Sequence, residues 1–133
     1  MYLLDTNVVS ELRRLKPHGA VVAWISATEN RDLYIGAPTI GEIQYGAERA
    51  RRQDAGIAAA IENWLDSLVQ SHNILPMDAD AFRLHARLMT GKSDELYEDG
   101  MIAAIAMLHG LAVATRNTRD FAPFGVRTIN PFL

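Results

Sequence analysis

Leu111-Ala112-Val113-Ala114-Thr115 is apolar at every position until its last residue. A strand with one wet face alternates apolar and polar residues. A strand apolar throughout must be covered on both sides, which is the condition of a parallel sheet held between two layers of helices. The residues before it agree. Glu98 to His109 reads as a helix, nearly all apolar after an acidic first turn, and Gly110 stands where a left-handed C-terminal cap belongs. Helix, glycine turn and buried strand together form one arm of an α/β unit.

The remaining pattern extends that unit through the chain. Tyr2-Leu3-Leu4 is a short buried strand ended by Asp5-Thr6-Asn7, and the spacing of Val8, Val9 and Leu12 predicts a helix that runs to Lys16-Pro17. Val21, Val22, Trp24 and Ile25 suit a second short helix. Leu33-Tyr34-Ile35 reads as a strand closed by Gly36 and Pro38, and Thr39 is placed to cap a helix with Ile40, Ile43 and Ala47 on one face. Asp54 to His72 is the clearest helix, because Ile57, Ala60, Ile61, Trp64, Leu65 and Leu68 recur at three- and four-residue steps. Ile74-Leu75 is a strand, Asp78 or Asp80 caps a helix that buries Ala81, Phe82, Leu84 and Leu88, and Gly91 ends it. A polar loop carries Asn117 and Asp120, and Val126 to Ile129 offers a last strand. Strands alternating with helices in this way predict a central parallel sheet with helices on both faces. At 133 residues, the whole of 1–133 is expected to be a single domain.

The chain has no cysteine, so a disulfide scaffold, a thiol nucleophile and a thiolate zinc site are excluded. No pair of histidines has the spacing of a zinc helix. The net charge of −3 argues against a broad electrostatic nucleic-acid surface. Basic residues nevertheless group at Arg13, Arg14, Lys16 and at Arg49, Arg51, Arg52, each readable simply as a solvated face. The longest apolar stretch is too short to span a bilayer, and Asp5 interrupts the N-terminal one before a signal peptide could form. A soluble cytoplasmic protein is the expectation.

In parallel sheets ligands bind beyond the carboxyl ends of the strands. Asp5 follows the first predicted strand, Glu42 lies at the start of the helix after the second, and Asn117 and Asp120 follow the Leu111–Thr115 strand. Asp99 begins the buried helix that feeds that strand. Each acid has an ordinary explanation as a helix cap, a favourable charge at a helix N-terminus, or a turn residue. Gathered at one edge, they would repel one another unless a cation neutralised them. An all-oxygen set suits Mg²⁺ or Mn²⁺, and such an ion can activate water and neutralise charge on a phosphate. Phosphodiester hydrolysis then needs no side-chain nucleophile, in keeping with a chain that lacks a G-x-S-x-G elbow and a phosphate-binding glycine loop. Arg116 and Arg119 could hold substrate phosphate or be solvated loop residues. A phosphatase with an aspartyl nucleophile would want a second Asp two residues after Asp5, where Asn7 stands.

Four segments in order resemble the PIN-domain ribonucleases, particularly the VapC toxins of the FitB-like branch. They are Met1-Tyr2-Leu3-Leu4-Asp5-Thr6-Asn7, Thr39-Ile40-Gly41-Glu42-Ile43, Asp99-Gly100-Met101-Ile102-Ala103-Ala104 and Thr115-Arg116-Asn117-Thr118-Arg119-Asp120-Phe121. The resemblance covers the whole chain. It implies a three-layer α/β/α sandwich with a central, mostly parallel sheet, and a Mg²⁺- or Mn²⁺-dependent endoribonuclease. It also implies the toxin of a type II toxin–antitoxin pair: a homodimer or higher assembly inhibited by a small DNA-binding antitoxin. By the same resemblance, Asp5, Glu42, Asp99 and Asp120 are the catalytic, metal-binding acids, supported by hydrogen bonds from Thr6 or Asn7, Thr115 and Asn117. One departure stands out: the family usually has Ala after its central acid and often Pro before it, whereas Gly100 and Glu98 flank Asp99 here. Glu98 is therefore a candidate to share the role of Asp99. The alternative reading is a non-catalytic module that keeps the fold to bind an antitoxin in an apolar groove between the Val8, Val9, Leu12 helix and the Trp64 helix.

Overall fold

The computed structural model describes residues 1–133. Five parallel strands form one sheet in the order β3-β2-β1-β4-β5: β1 (Tyr2–Leu4), β2 (Leu33–Gly36), β3 (Asn73–Leu75), β4 (Ala112–Ala114) and β5 (Thr128–Ile129). Leu4 stands in register with Ile35 on one side and Ala114 on the other. The chain leaves β1 towards β2 and β3, then crosses back to place β4 and β5 on the opposite flank. The carboxyl ends of β1 and β4 thus border the point where the sheet order reverses, the place where open α/β sheets hold their ligands.

The helices are α1 (Thr6–Glu11), α2 (Gly19–Ala27), α3 (Ala37–Arg51), α4 (Ala55–Ser71), α5 (Ala79–Met89), α6 (Tyr97–Leu108) and the single turn α7 (Thr118–Phe121). They cover both faces of the sheet. Leu3 and Val113 point into a core with Ala81 of α5, Ile102, Ala103, Ile105 and Ala106 of α6, and Phe121 of α7. Their neighbours Leu4 and Ala114 point the other way, against Val8 and Val9 of α1, Val21 of α2, and Leu65 and Leu68 of α4. The two-residue period of a strand accounts for this division. The result is the expected α/β/α sandwich, with every strand pair parallel. No helix is long and apolar enough to cross a membrane.

Several boundaries follow the sequence closely. Asp54 accepts the backbone N–H groups of Gly56 and Ile57 at 2.8 and 3.2 Å, and His72 ends α4. Asp78, rather than Asp80, caps α5 by accepting from Ala81 N–H at 3.0 Å. Gly110 has φ +67°, the left-handed turn required between α6 and β4.

Others differ. α1 stops at Glu11 instead of running to Lys16, because the Glu11 carboxylate accepts the backbone N–H of His18 at 2.8 Å and binds Arg14 at 2.9 Å. That folds residues 12–18 back over the helix end. Thr39 is not a cap: Gly36 occupies that position, Pro38 fills the first turn where no N–H is needed, and Thr39 is buried. Phe82 is exposed because His85 takes the inward place on α5. The loop of Asn117 and Asp120 winds into α7. Val8 and Val9 are wholly buried, so α1 supplies no groove with them; the hollow near Trp64 is bounded by Leu12, Ile25 and Leu68 instead.

Candidate active site

Asp5 is the first residue beyond β1, and its backbone N–H still donates to Ala114 O at 2.9 Å. Its side chain performs two tasks. Oδ1 accepts the Thr6 N–H at 2.9 Å and so caps α1, while Oδ2 accepts from Thr115 Oγ1 at 2.8 Å and from Asn7 Nδ2 at 3.2 Å. The cap and the site are one and the same carboxylate. It is only 7% exposed. Burial holds its pKa above the ordinary aspartate value, opposed by the bonds from Thr115 and Thr6, with repulsion from Glu42 adding to the rise.

Thr115, fully buried just past β4, ties the two strand ends together. Its hydroxyl donates to Asp5 and accepts from Asn117 N–H at 2.9 Å and Asn7 Nδ2 at 3.3 Å. Asn7 completes the frame, since its Oδ1 accepts the Arg116 N–H at 3.2 Å. Thr6 Oγ1 reaches the buried Thr39 Oγ1 at 3.3 Å, which locks the start of α3 against the start of α1. Thr39 is a supporting residue that the sequence suggested only as a helix cap.

The other acids arrive on helices. Glu42 lies in the second turn of α3, and Glu98 and Asp99 lie in the first turn of α6. The neighbouring Glu42 carboxyl, partial burial and the charge of Asp99 raise the Glu98 pKa to about 6. Asp99 is also raised to about 6, first by desolvation and then by the charges of Asp5, Asp120 and Glu42. Asp5, Glu42, Glu98 and Asp99 line one cavity of about 460 Å³, together with Thr6, Thr39 and an apolar wall that includes Tyr45, Met77, Phe82 and Met101. Asp120, on α7, acts on Asp99 through its charge but does not line that cavity.

The acids converge without forming a closed ligand shell. No three of them stand in a set ready to hold an ion as placed. Desolvation raises Asp99 first, and the charges of Asp5, Asp120 and Glu42 that add to the rise are what a hard cation would relieve. An edge of carboxylates without sulfur or imidazole fits Mg²⁺ or Mn²⁺.

Asn117 contributes its backbone N–H rather than its side chain. The Arg116 guanidinium lies 3.9 Å from the Phe132 ring centroid, and neither Arg116 nor Arg119 lines the cavity. His85, which reads only as a mid-helix residue in the sequence, is buried under the site. Its Nε2 meets Tyr97 O at 2.9 Å and its ring packs edge-on to Tyr97 at 4.5 Å, which anchors the turn that carries Glu98 and Asp99.

Residues 2–125 match the PIN domain family. The chain is 39% identical to VapC ribonuclease Y4jK of Sinorhizobium fredii, over 99% of this chain and 98% of that protein. It is 33% identical to toxin FitB of Neisseria gonorrhoeae, over 99% of each. The crystal structure of FitAcB from Neisseria gonorrhoeae superposes with a TM-score of 0.85, at 33% identity over 99% of both chains. A carboxylate edge at the reversal point of a parallel sheet, and similarity over the full length, lead to one conclusion: the chain belongs to the PIN-domain family, among its VapC- and FitB-like members.

Proposed function

We propose that this protein is a Mg²⁺- or Mn²⁺-dependent endoribonuclease that serves as the toxin of a type II toxin–antitoxin pair. The observation that carries the reading is the fixed Asp5 carboxylate, held by Thr6, Asn7 and Thr115 in one cavity with Glu42, Glu98 and Asp99. The relatives named ribonuclease and toxin support it. Asp5, Glu42, Asp99 and Asp120 would hold the ion, with Glu98 sharing the place of Asp99. When bound, the ion would supply acid strength to a water and neutralise charge on the scissile phosphate.

The protein's own part is positioning. Thr115 and Asn7 orient Asp5 and favour its charged form against burial. Glu98, raised to about 6 by the neighbouring Glu42, is placed to exchange a proton at the edge of the cavity near that pH. The partner belongs to the same proposal. FitAB has been solved bound to a DNA fragment, and by that analogy a small DNA-binding antitoxin would cover this site, with the toxin as a homodimer or higher assembly.

Purified wild type should cleave RNA with Mn²⁺ and fail to cleave it in chelator. Asp5→Asn should bring cleavage to background while the variant still melts cooperatively. Full Mn²⁺-dependent cleavage by folded Asp5→Asn would overturn the assignment.

A further inference from the structure

We propose that Phe132 is a positioning residue for Asp5: its ring seats the Arg116 side chain, and the seated Arg116 offers the backbone N–H that orients the Asn7 amide. The proposal rests on the nuclease reading and adds a residue to that site. Asn7 stands between partners that call for opposite ends of its amide. Its Oδ1 accepts the Arg116 N–H at 3.2 Å, so its Nδ2 faces Asp5 Oδ2 at 3.2 Å and Thr115 Oγ1 at 3.3 Å. Losing the Arg116 N–H removes one of the bonds that fix this choice. A flipped amide would set Oδ1 against the Asp5 carboxylate, acceptor against acceptor.

Residues 115–117 form a corner whose three N–H groups each go to a different partner. Thr115 donates to Ile129 O at 2.9 Å, Arg116 to Asn7, and Asn117 to Thr115 Oγ1 at 2.9 Å. Thr115 is buried, but Arg116 is exposed, and a free side chain there would let its peptide rock. The side chain is not free. Its guanidinium lies 3.9 Å from the Phe132 ring centroid, a cation held over an aromatic ring. That ring is fixed in turn. Pro131 before it is buried, the Phe132 N–H donates to Asn130 Oδ1 at 2.9 Å, and the His18 ring packs edge-on at 5.2 Å. His18 is itself held twice, by its N–H on Glu11 Oε1 at 2.8 Å and by Nδ1, which accepts the Ala20 N–H at 3.2 Å. The Arg116 charge also reaches Glu11, whose pKa is lowered first by Arg14 and then by the His18 N–H. Glu11, His18, Phe132 and Arg116 thus close a ring outside the acid-lined cavity, joined to Asp5 through Asn7.

The test reads the Arg116 amide directly, by hydrogen exchange followed in NMR spectra of the protein in chelator, beside Mn²⁺ affinity from the EPR signal of the free ion. Phe132→Leu keeps apolar bulk against His18 and removes the aromatic face. It should speed exchange of the Arg116 amide by about two- to fivefold, the factor an exposed cation–π contact supplies, and weaken Mn²⁺ binding. Arg116→Ala keeps the N–H and removes the guanidinium; it should do the same, and the double variant should add nothing further. Phe132→Tyr should restore wild-type exchange and affinity, whereas a side chain that only fills space would be served equally by leucine. In RNA cleavage, Phe132→Leu should lower kcat with KM unchanged, because the ring acts through Asp5 and not on the RNA. Wild-type exchange of the Arg116 amide in Phe132→Leu and Arg116→Ala would overturn the proposal. So would a rise in KM alone, which would place Arg116 on the RNA instead. The two readings fail separately. If wild type never cuts RNA with Mn²⁺, the nuclease reading falls, while a faster Arg116 amide in Phe132→Leu still shows what Phe132 holds. If the amide is unmoved and Mn²⁺-dependent cleavage is intact, Phe132 is no positioning residue and the nuclease stands.

Discussion

Asp99→Asn should stabilise the metal-free protein, an unusual direction for a substitution in a candidate active site. The folded structure raises the Asp99 pKa from 3.8 to about 6, through burial and the charges of Asp5, Asp120 and Glu42. Between these values the native state holds more protons than the unfolded state, so stability falls as pH rises from about 4 to 6 and the full cost remains above that. The difference is about 3 kcal/mol at face value. Asp99 is partly exposed, and solvent screening reduces the cost to about 1–2 kcal/mol. Against this, an acid in the first turn of α6 is favoured by the helix dipole by about 0.3–1 kcal/mol. Leu96, not Asp99, is the N-cap residue, so no side-chain cap is lost. The balance is a gain of about 1 kcal/mol at pH 7, or about 3–5 °C in melting temperature for a chain of this size. Thermal melts in chelator from pH 4 to 7.5 measure it. The wild-type curve should fall over the acid half of that range, and the variant's should be flatter and higher at neutral pH. Mn²⁺ at a hundredfold excess over its Kd should stabilise wild type by about 2.7 kcal/mol and the variant by less. If Asp99→Asn melts below wild type at pH 7 with the same pH profile, the acids do not repel one another as described.

Two further substitutions probe the frame around the acids. Thr115→Val keeps the shape of a buried residue but leaves Asn117 N–H and one bond of Asp5 Oδ2 unmet, and it should cost about 1–3 kcal/mol in urea denaturation. Since the Thr115 bond is the largest influence holding the Asp5 pKa down, the acidic limb of the cleavage–pH profile should also move to higher pH, and an unmoved limb would refute that link. Gly100→Ala sets up to ~1 kcal/mol of helix propensity against a Cβ that would stand 2.8 Å from Met89 Sδ and 3.1 Å from His85 Cδ2. Overpacking of about 1–3 kcal/mol should prevail, and a variant more stable than wild type in denaturant would show that α5 yields more readily than this.

The fold was legible wherever one local signal decided the outcome. The unbroken apolar run before Thr115 required a two-sided sheet, Asp54 and Gly110 marked true helix ends, and the strand-end rule brought out Asp5. What escaped the sequence depended on pairs distant along the chain. Glu11 reads as an ordinary helix acid, yet its bond to His18 ends α1 early. Phe82 has the spacing of a buried residue, but α5 turns His85 inward to meet the Tyr97 carbonyl, and helical period alone cannot reveal a polar partner on another helix. The phosphate role suggested for Arg116 and Arg119 came from adjacency to Asp120. In three dimensions the Arg116 side chain lies on Phe132, and the cations that face the cavities are Arg13 and Arg49.

Glu98 and Gly100, where the chain departs from the usual family pattern, make sense as a pair. Without a Cβ at Gly100, His85 and Met89 come up against the first turn of α6. His85 can then hold Tyr97 O and pack on the Tyr97 ring, which fixes the residue just before Glu98. With that turn pinned, Glu98 lines the same cavity as Glu42, and its pKa rises to about 6. A bulkier residue at position 100 would push His85 away and loosen the turn; a proline at position 98 would remove the carboxylate altogether. The glycine thus costs helix propensity but permits a close helix contact, and that contact serves to place an extra acid beside Asp99. We propose on this ground that Glu98 shares the place of Asp99, with Gly100 as the packing condition that allows it.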